Sequence, residues 1–212
     1  MIIIVDYGMG NLHSVKRAFE FVAPNSQIKI SSNPLDIKNA SKLILPGQGA
    51  MADCMKSLNN SNLKENLLEA INHKKTPTLG ICVGMQMLFE NSEEGNTLGL
   101  GILQGQIKKF HIENFLSKEC NKIPHMGWNN IQYDENKRHN IFNNIANNSY
   151  FYFIHSYYLP INNVTDKYMI AKCKYGLEFV AAIAYSNIIA TQFHPEKSSD
   201  VGLELYKNFA NT

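Results

Sequence analysis

The sequence lacks the cysteine patterns that are typical of disulfide-rich proteins and of zinc-binding proteins. Its four cysteines, Cys54, Cys82, Cys120 and Cys173, are scattered, with no C-x-x-C pair and no metal-ligand spacing to a histidine. This distribution argues against a disulfide scaffold and against a structural zinc site. It favours the reducing environment of the cytoplasm, which is where we expect the protein to work.

Long hydrophobic runs and an excess of one charge are also missing. The first apolar run, Ile2–Val5, is too short for the hydrophobic region of a signal peptide, and no run approaches membrane-spanning length. The net charge is only +2, and the basic residues form no stripe. We therefore expect neither a membrane nor a nucleic acid as a partner.

The pattern that is present predicts an α/β protein. A chain of 212 residues, 44% hydrophobic and 18% charged, is ordinary for one globular domain, and we expect residues 1–212 to form one. Strands and helices alternate over the first ninety-odd residues, which indicates a parallel sheet, and the later strands indicate an antiparallel extension. The predicted strands are 2–5, 27–30, 42–45, 78–81, 106–110, 150–154, 169–174, 180–185 and 188–193; the predicted helices lie at 12–22, 63–71, 85–90 and 201–209.

The stretch Gly-Ile-Cys-Val-Gly at 80–84 carries the strongest chemical signal. It lies between a predicted strand and a predicted helix, so it is the thiol version of a nucleophile elbow with Cys82 at its tip. The two glycines allow a sharp turn and a close approach of neighbouring backbone. A helix N-terminus below the sulfur favours the thiolate. Taken alone, the stretch is equally compatible with an inert buried cysteine.

A cysteine nucleophile needs a base, and His194 is the best candidate among the seven histidines. Glu196 lies two residues further on, where an extended chain points both side chains the same way. Its carboxylate would hold the imidazole in the tautomer that accepts the thiol proton. Alone, His-Pro-Glu also fits a surface turn. Together with Cys82, it indicates acyl transfer through a thioester, the hydrolysis of an amide or an ester.

A tetrahedral intermediate on Cys82 needs hydrogen-bond donors for its oxyanion. The Val83 N–H follows the nucleophile directly and is one candidate. The Pro-Gly-Gln-Gly turn at 46–49 follows a neighbouring strand, and the backbone of Gly47, Gln48 and Gly49 is expected to supply the other. A plain strand-to-helix connection is the alternative for this turn.

These blocks make the chain resemble the class I glutamine amidotransferases over essentially its whole length. The matching blocks are Pro-Gly-Gln-Gly at 46–49, Gly-Ile-Cys-Val-Gly-Met-Gln at 80–86 and His-Pro-Glu at 194–196. The resemblance implies a flavodoxin-like three-layer sandwich with a mostly parallel central sheet and an antiparallel extension. It implies no metal and no cofactor. Gln48 is a departure, because the family more often has a small aliphatic residue there, and it bears on how the oxyanion loop is gated.

Within that family, further blocks resemble the glutaminase subunits of imidazole glycerol phosphate synthase. These blocks lie at 6–12, 124–129 (Pro-His-Met-Gly-Trp-Asn), 155–157 (His-Ser-Tyr) and 194–198. By that resemblance, Cys82 attacks the side-chain amide of glutamine, His194 shuttles protons and Glu196 orients His194. Glutamate and ammonia are the products. The positions that would hold the backbone groups of the substrate are Gln86, Glu94, Ser156 and Tyr157.

The resemblance also implies a partner subunit. Ammonia would pass to a (β/α)8-barrel cyclase that forms imidazole glycerol phosphate in histidine biosynthesis. The partner-facing positions would be Asn11, Met126, Trp128, Tyr152 and Lys197, although Trp128 and Tyr152 also fit a role as core aromatics. Two alternatives remain open here. One is a paralogous glutaminase that feeds sugar amidation for surface polysaccharide, and the other is a binding subunit without catalysis.

Overall fold

The computed structural model describes residues 1–115 and 122–212, so Cys120 lies outside the described residues. The strands are β1 (Ile2–Val5), β2 (Ile28–Ser31), β3 (Lys42–Gly47), β4 (Thr78–Cys82), β5 (Phe89–Ser92), β6 (Thr97–Leu98), β7 (Leu103–Lys109), β8 (His125–Gln132), β9 (Tyr150–His155), β10 (Tyr157–Pro160), β11 (Met169–Tyr175), β12 (Leu177–Tyr185) and β13 (Ile188–Thr191). The helices are α1 (Leu12–Val22), α2 (Pro34–Lys38), α3 (Met51–Asn60), α4 (Lys64–Leu68), α5 (Val83–Gln86) and α6 (Ser199–Ala210).

The centre of the molecule is a sheet that is parallel on one side and antiparallel on the other. Strands β2, β1, β3, β4 and β13 are neighbours in that order, and all four pairings are parallel. The sheet continues through β12 and β10 to β7 with antiparallel pairings. Strands β1 and β4 are buried along their whole length, which is why they are almost entirely apolar. The expected α/β sheet with an antiparallel extension is confirmed.

Helices cover both faces of this sheet. The strand order reverses after β2, and right-handed crossovers then place α1 on one face and the helices between β2 and β4 on the other. In agreement, α1 packs against the C-terminal helix α6, and α2 packs against α4. The result is the expected three-layer arrangement.

A branch of the sheet brings two distant sequence blocks together. Strand β8 pairs with β9 in antiparallel register, so that His125 lies opposite His155 and Trp128 lies opposite Tyr152. Side chains alternate between the two faces of such a ladder. One face therefore carries the histidines into the core, and the other carries the aromatic pair towards solvent.

Several local predictions need correction. The helix expected at 85–90 ends at Gln86, and Phe89 begins β5, because Phe89 is fully buried and pairs with Leu103 of β7. Helix α3 was not predicted, although its buried residues follow helical spacing. Strand β8 was not predicted either, and β3 continues through Pro46 to Gly47 instead of ending at Leu45.

The carboxyl ends of the parallel strands form the edge at which ligands bind in such sheets. Cys82 ends β4, and Gly47, which pairs with it, ends β3. The turn after β4 packs closely against the end of β3, and a Cβ atom on Gly84 would lie 1.9 Å from the carbonyl oxygen of Leu45. A Cβ atom on Gly47 would lie 2.5 Å from the backbone nitrogen of Gly84. The glycines at these two positions are therefore required by packing.

Within the described ranges, no helix is long and apolar enough to cross a membrane. In the same residues, no group of three or more histidine, cysteine, aspartate or glutamate side chains is arranged to hold a metal ion.

Candidate active site

Cys82 lies at a strained turn between β4 and α5. Its φ of 53° and ψ of −111° are unusual for a residue with a side chain. The Sγ atom is 3.9 Å from the carbonyl oxygen of Ile154 and 3.7 Å from Nε2 of Gln192. Helix α5 has only four residues, so the helix-dipole support expected from the sequence is reduced to the N–H groups of one turn.

His194 and Glu196 form a buried pair beside this turn. Nδ1 of His194 donates to Oε1 of Glu196 over 2.8 Å, and the side chains are 5% and 1% exposed. The hydroxyl of Tyr206 in α6 donates to the other carboxylate oxygen over 3.0 Å. The expected origin of the pair is corrected: β13 ends at Thr191, and Glu196 lies in a 3-10 turn, so the turn and not an extended strand brings the two side chains together.

The environment of His194 favours its protonated form. Burial opposes the charge, but Cys82 and the Glu196 carboxylate outweigh it and raise the pKa of His194 to about 10. Nε2 of His194 is buried and has no hydrogen-bond partner within residues 1–115 and 122–212. An imidazolium beside Cys82 with one free N–H can donate a proton to a bound substrate.

A cavity of about 370 Å³ opens above Cys82. His194 lines it, together with seven of the eight residues predicted to build the oxyanion hole and hold the substrate: Gln48, Gly49, Val83, Gln86, Glu94, Ser156 and Tyr157. Gly47 is the exception, because it packs against the backbone of Val83 and Gly84 beneath the cavity.

The candidate oxyanion loop is fixed by two hydrogen bonds from outside it. The hydroxyl of Tyr7 donates to the carbonyl oxygen of Pro46 over 2.6 Å. The thiol of Cys54 in α3 donates to the carbonyl oxygen of Gln48 over 3.4 Å. Gly49 has a φ of +87°, a conformation that glycine adopts without strain. Gln48 lines the cavity next to Gly49.

Glu94 and Tyr157 place a carboxylate and a phenol in the cavity. Glu94 lies in a short 3-10 turn after β5, and its Oε2 accepts from the backbone N–H of Met51, the first residue of α3, over 2.6 Å. Burial, followed by the charges of Glu94 and Glu93, raises the pKa of Tyr157, so its hydroxyl remains a hydrogen-bond donor. Such a pair suits an ammonium group and a carboxylate on one ligand.

Gln86 and Gln192 form a buried amide chain that ends at Cys82. Nε2 of Gln86 donates to the carbonyl oxygen of Tyr157 over 3.1 Å and to Oε1 of Gln192 over 2.9 Å. Gln192 is fully buried. Sequence reasoning missed it, since it lies inside the mostly apolar segment 188–193 that was interpreted only as a strand. The available signal was a polar residue in that segment, two positions before His194.

His125 and His155 form a second buried pair, made of two histidines. Nδ1 of His125 lies 3.0 Å from Nε2 of His155, whose own Nδ1 lies 2.8 Å from the carbonyl oxygen of Tyr157. The amide of Asn129 reaches Nε2 of His125 over 3.2 Å. Because a carbonyl oxygen only accepts, His155 must donate through Nδ1 and accept through Nε2. Burial lowers the pKa of His125 to about 2 and that of His155 to about 4.

The outer face of β8 and β9 is exposed and apolar. Met126 is 64% exposed and Trp128 is 53% exposed, so the interpretation of Trp128 as a core aromatic is wrong. Tyr152 is half-buried between Trp128 and the ammonium group of Lys197, which lies 5.6 Å from the centre of its ring. Ile154 and Lys197 also line the cavity, so this face adjoins the cavity mouth. Asn11, the fifth residue predicted to face a partner, precedes α1 in the loop after β1.

Comparison with known proteins places these features in a family. The model of the glutamine amidotransferase class-I family matches residues 3–211. The imidazole glycerol phosphate synthase subunit HisH of Nitrosospira multiformis is 46% identical over 210 residues, covering 98% of this chain and 96% of that protein. The protein of the same name from Aromatoleum aromaticum is 44% identical over 208 residues, covering 97% and 95%.

Solved structures agree on the fold. A crystal structure described as a glutamine amidotransferase superimposes with a TM-score of 0.71 at 14% identity and covers all of both chains. The glutaminase domain of Trypanosoma brucei CTPS with bound acivicin superimposes with a TM-score of 0.66 at 17% identity, covering 100% of this chain and 94% of that one.

Proposed function

Because this chain belongs to the class I glutamine amidotransferase family, we propose that Cys82, His194 and Glu196 are the residues with which it hydrolyses glutamine. The chain is an enzyme of histidine biosynthesis, the glutaminase subunit of imidazole glycerol phosphate synthase. The observation that carries the residue assignment is the buried His194–Glu196 pair, whose free Nε2 lies beside the cavity over Cys82.

The proposed reaction begins with attack of the Cys82 sulfur on the side-chain carbonyl carbon of glutamine. A C–S bond forms, and the carbonyl electron pair moves to the oxygen. His194 donates its Nε2 proton to the amide nitrogen, the C–N bond breaks and ammonia leaves. Water then attacks the thioester while His194 takes up its proton, and the C–S bond breaks to release glutamate. Glu196 keeps the imidazole oriented and stabilises its charged form in both halves.

The oxyanion is assigned to backbone donors of Val83 and of the loop formed by Gly47, Gln48 and Gly49. Three of these four residues line the cavity with Cys82, and Gly47 anchors the loop beneath them. Backbone donors held in place before the reaction stabilise the developing charge without reorganisation.

The substrate is proposed to place its α-ammonium group at the Glu94 carboxylate. Tyr157, Ser156 and Gln86 then line the part of the cavity that holds its remaining polar groups. The charge of Glu94 supports this orientation, because the opposite orientation would place the α-carboxylate of glutamine against it.

A partner subunit follows from the relatives, each of which is named as one subunit of a synthase. We propose that the partner is a (β/α)8-barrel cyclase and that it docks on the exposed face formed by Met126, Trp128, Tyr152 and Lys197. Asn11, in the loop after β1, is proposed as a further partner-facing residue. The face is apolar and aromatic and adjoins the cavity mouth, so a partner docked there would lie next to the site at which ammonia is released. A cytoplasmic location stays a prediction.

The decisive experiment measures glutamate release from glutamine by the purified chain, alone and with a histidine-pathway cyclase subunit and its nucleotide substrate. We expect release to rise with the cyclase and imidazole glycerol phosphate to form. Cys82→Ala should lower the rate about 10⁴-fold or more while the variant still binds the cyclase. Unchanged hydrolysis in Cys82→Ala would overturn the mechanism, and hydrolysis that no cyclase couples would overturn the choice of partner.

The docking face is tested in the same assay with matched aromatic substitutions. Trp128→Ala should weaken binding of the cyclase about 30-fold, the effect of removing a central aromatic anchor. Tyr185→Ala is the control, because Tyr185 is similarly exposed but pairs with Ile188 at the opposite edge of the sheet. Equal effects of the two substitutions would contradict the proposed face.

A further inference from the structure

We infer that Gln192 stabilises the thiolate of Cys82 by donating an amide N–H to its sulfur, and that Gln86 fixes the orientation in which it does so. The inference rests on the proposed function of Cys82 as the nucleophile. Neither the family motif blocks nor the spacing of His194 and Glu196 assigns a task to Gln192.

The direction of the Gln192 amide is set by its neighbour. Gln86 presents Nε2 to two acceptors, the carbonyl oxygen of Tyr157 at 3.1 Å and Oε1 of Gln192 at 2.9 Å. The Tyr157 oxygen only accepts, so Gln86 must present its nitrogen there. Its second N–H then requires an oxygen on Gln192. The Nε2 of Gln192 is therefore directed at Sγ of Cys82, 3.7 Å away.

Besides Gln192, the sulfur interacts with His194 and with a backbone carbonyl oxygen. The carbonyl oxygen of Ile154, 3.9 Å from Sγ, can accept from a thiol but repels a thiolate. Gln192 can only favour the thiolate through this contact, since it offers a donor and its own amide is fully buried. His194 supplies the opposite charge, and Gln192 supplies a hydrogen bond that stays in place when His194 gives its proton to the substrate.

Three of the other titratable groups around Cys82 are bonded to different partners. The titratable groups that face Cys82 or line its cavity are His194, Tyr7, Cys54, His155, Glu94, Tyr157 and Lys197. Tyr7 donates to Pro46 and Cys54 donates to Gln48, so both are bonded to the oxyanion loop. His155 is neutral and bonded to Tyr157.

The test is the pH dependence of alkylation of Cys82 by iodoacetamide, followed by mass spectrometry of the peptide that contains it. The thiolate attacks the methylene carbon, a C–S bond forms and iodide leaves, so the rate reports the thiolate fraction without any glutamine turnover. Gln192→Met keeps the volume but removes the donor. We expect the midpoint of the alkylation profile to move up by about one pH unit and the rate below it to fall about tenfold.

A second variant and a control keep this test decisive. Gln192→Asn shortens the side chain by one methylene, which moves the amide away from the sulfur, and should shift the midpoint in the same direction. This variant replaces Gln192→Met in the test if Gln192→Met does not fold. Thr191→Val removes a neighbouring buried hydroxyl, which bonds Phe193 and not Cys82. It should leave the midpoint in place even if it lowers the melting temperature.

The outcomes separate this inference from the function on which it rests. An unchanged midpoint in folded Gln192→Met or Gln192→Asn would overturn the role of Gln192 and leave glutamine hydrolysis by the unaltered chain standing. A shifted midpoint in a chain that does not hydrolyse glutamine would support the role of Gln192 and overturn the proposed mechanism.

Discussion

The molecule contains two buried pairs that include histidine, His194 with Glu196 and His125 with His155. The first pair favours a protonated histidine, and the second favours neutral histidines. His194 donates to the carboxylate of Glu196 and has its pKa raised to about 10. His125 and His155 contact each other, and burial lowers their pKa values to about 2 and about 4. All three side chains are almost completely buried. Burial alone therefore does not decide whether a histidine is charged.

The charge of a buried histidine depends on the side chains that it contacts. A carboxylate and a nearby sulfur compensate the desolvation of an imidazolium, whereas a second imidazole and stacked aromatic rings do not. The ring of His125 stacks on Tyr175 with centroids 4.0 Å apart and on Phe153 at 4.7 Å. The first site keeps a proton available for chemistry, and the second uses its protons as fixed hydrogen bonds.

The largest expected effect comes from removing the negative charge of Glu196, which distinguishes the His194–Glu196 pair from the His125–His155 pair. Glu196→Gln keeps the shape and an acceptor for Nδ1 but cannot compensate an imidazolium. We expect the rate of glutamine hydrolysis in the cyclase complex to fall about 10³- to 10⁴-fold. Glu204→Gln, a carboxylate substitution on the outer side of α6, is the control and should leave the rate unchanged. A loss of less than tenfold in Glu196→Gln would show that the carboxylate is not what keeps His194 competent.

The His125–His155 pair should make the stability of the fold sensitive to acid. Its folded pKa values lie below the unfolded value of about 6.5, so the unfolded chain binds more protons and stability falls as the pH falls below 6.5. Each histidine should remove about 1.6 kcal/mol from the free energy of unfolding between pH 6.5 and pH 5. His125→Gln should remove about half of this dependence in urea titrations across that range.

The slope is the informative quantity in that experiment, because His125→Gln also lowers stability at neutral pH by disturbing its packing. His13→Gln, at an exposed histidine on α1, serves as the control and should retain the full slope. An unchanged slope in His125→Gln would mean that the pair is not neutral in the folded protein.

The smallest expected effect concerns the outer support of the first site. Tyr206→Phe removes the hydroxyl that donates to Glu196 and keeps the ring, which packs on Phe19 with centroids 4.4 Å apart. We expect the rate of glutamine hydrolysis to fall about 3- to 10-fold, the effect of losing one orienting hydrogen bond of about 1 kcal/mol. Tyr133→Phe is the control. It removes another buried hydroxyl, which donates to the carbonyl oxygen of Ile145 and not to a residue of the candidate site, and it should not change the rate. Equal rates in both variants would contradict a role for Tyr206.

The sequence predicted the parts of this molecule that depend on short spacings. The parallel strands follow from apolar runs, and the candidate triad follows from an elbow and a His-Pro-Glu block, each readable within a few residues. The His125–His155 pair was not predictable in this way, because the register of β8 and β9 brings together residues thirty positions apart. Gln192 was missed because its importance depends on an amide direction that Gln86 sets across the sheet.

The carbonyl oxygen of Tyr157 is where the two regions meet, since it accepts from both His155 and Gln86. Two rows of donors converge on it, one from Asn129 through the histidines and one that begins at Gln86. An amide carbonyl has no proton to hand on, and the side-chain amides that lead from it to Cys82 are not proton relays either. A proton taken up by the histidine pair is therefore not transferred along these contacts to the nucleophile.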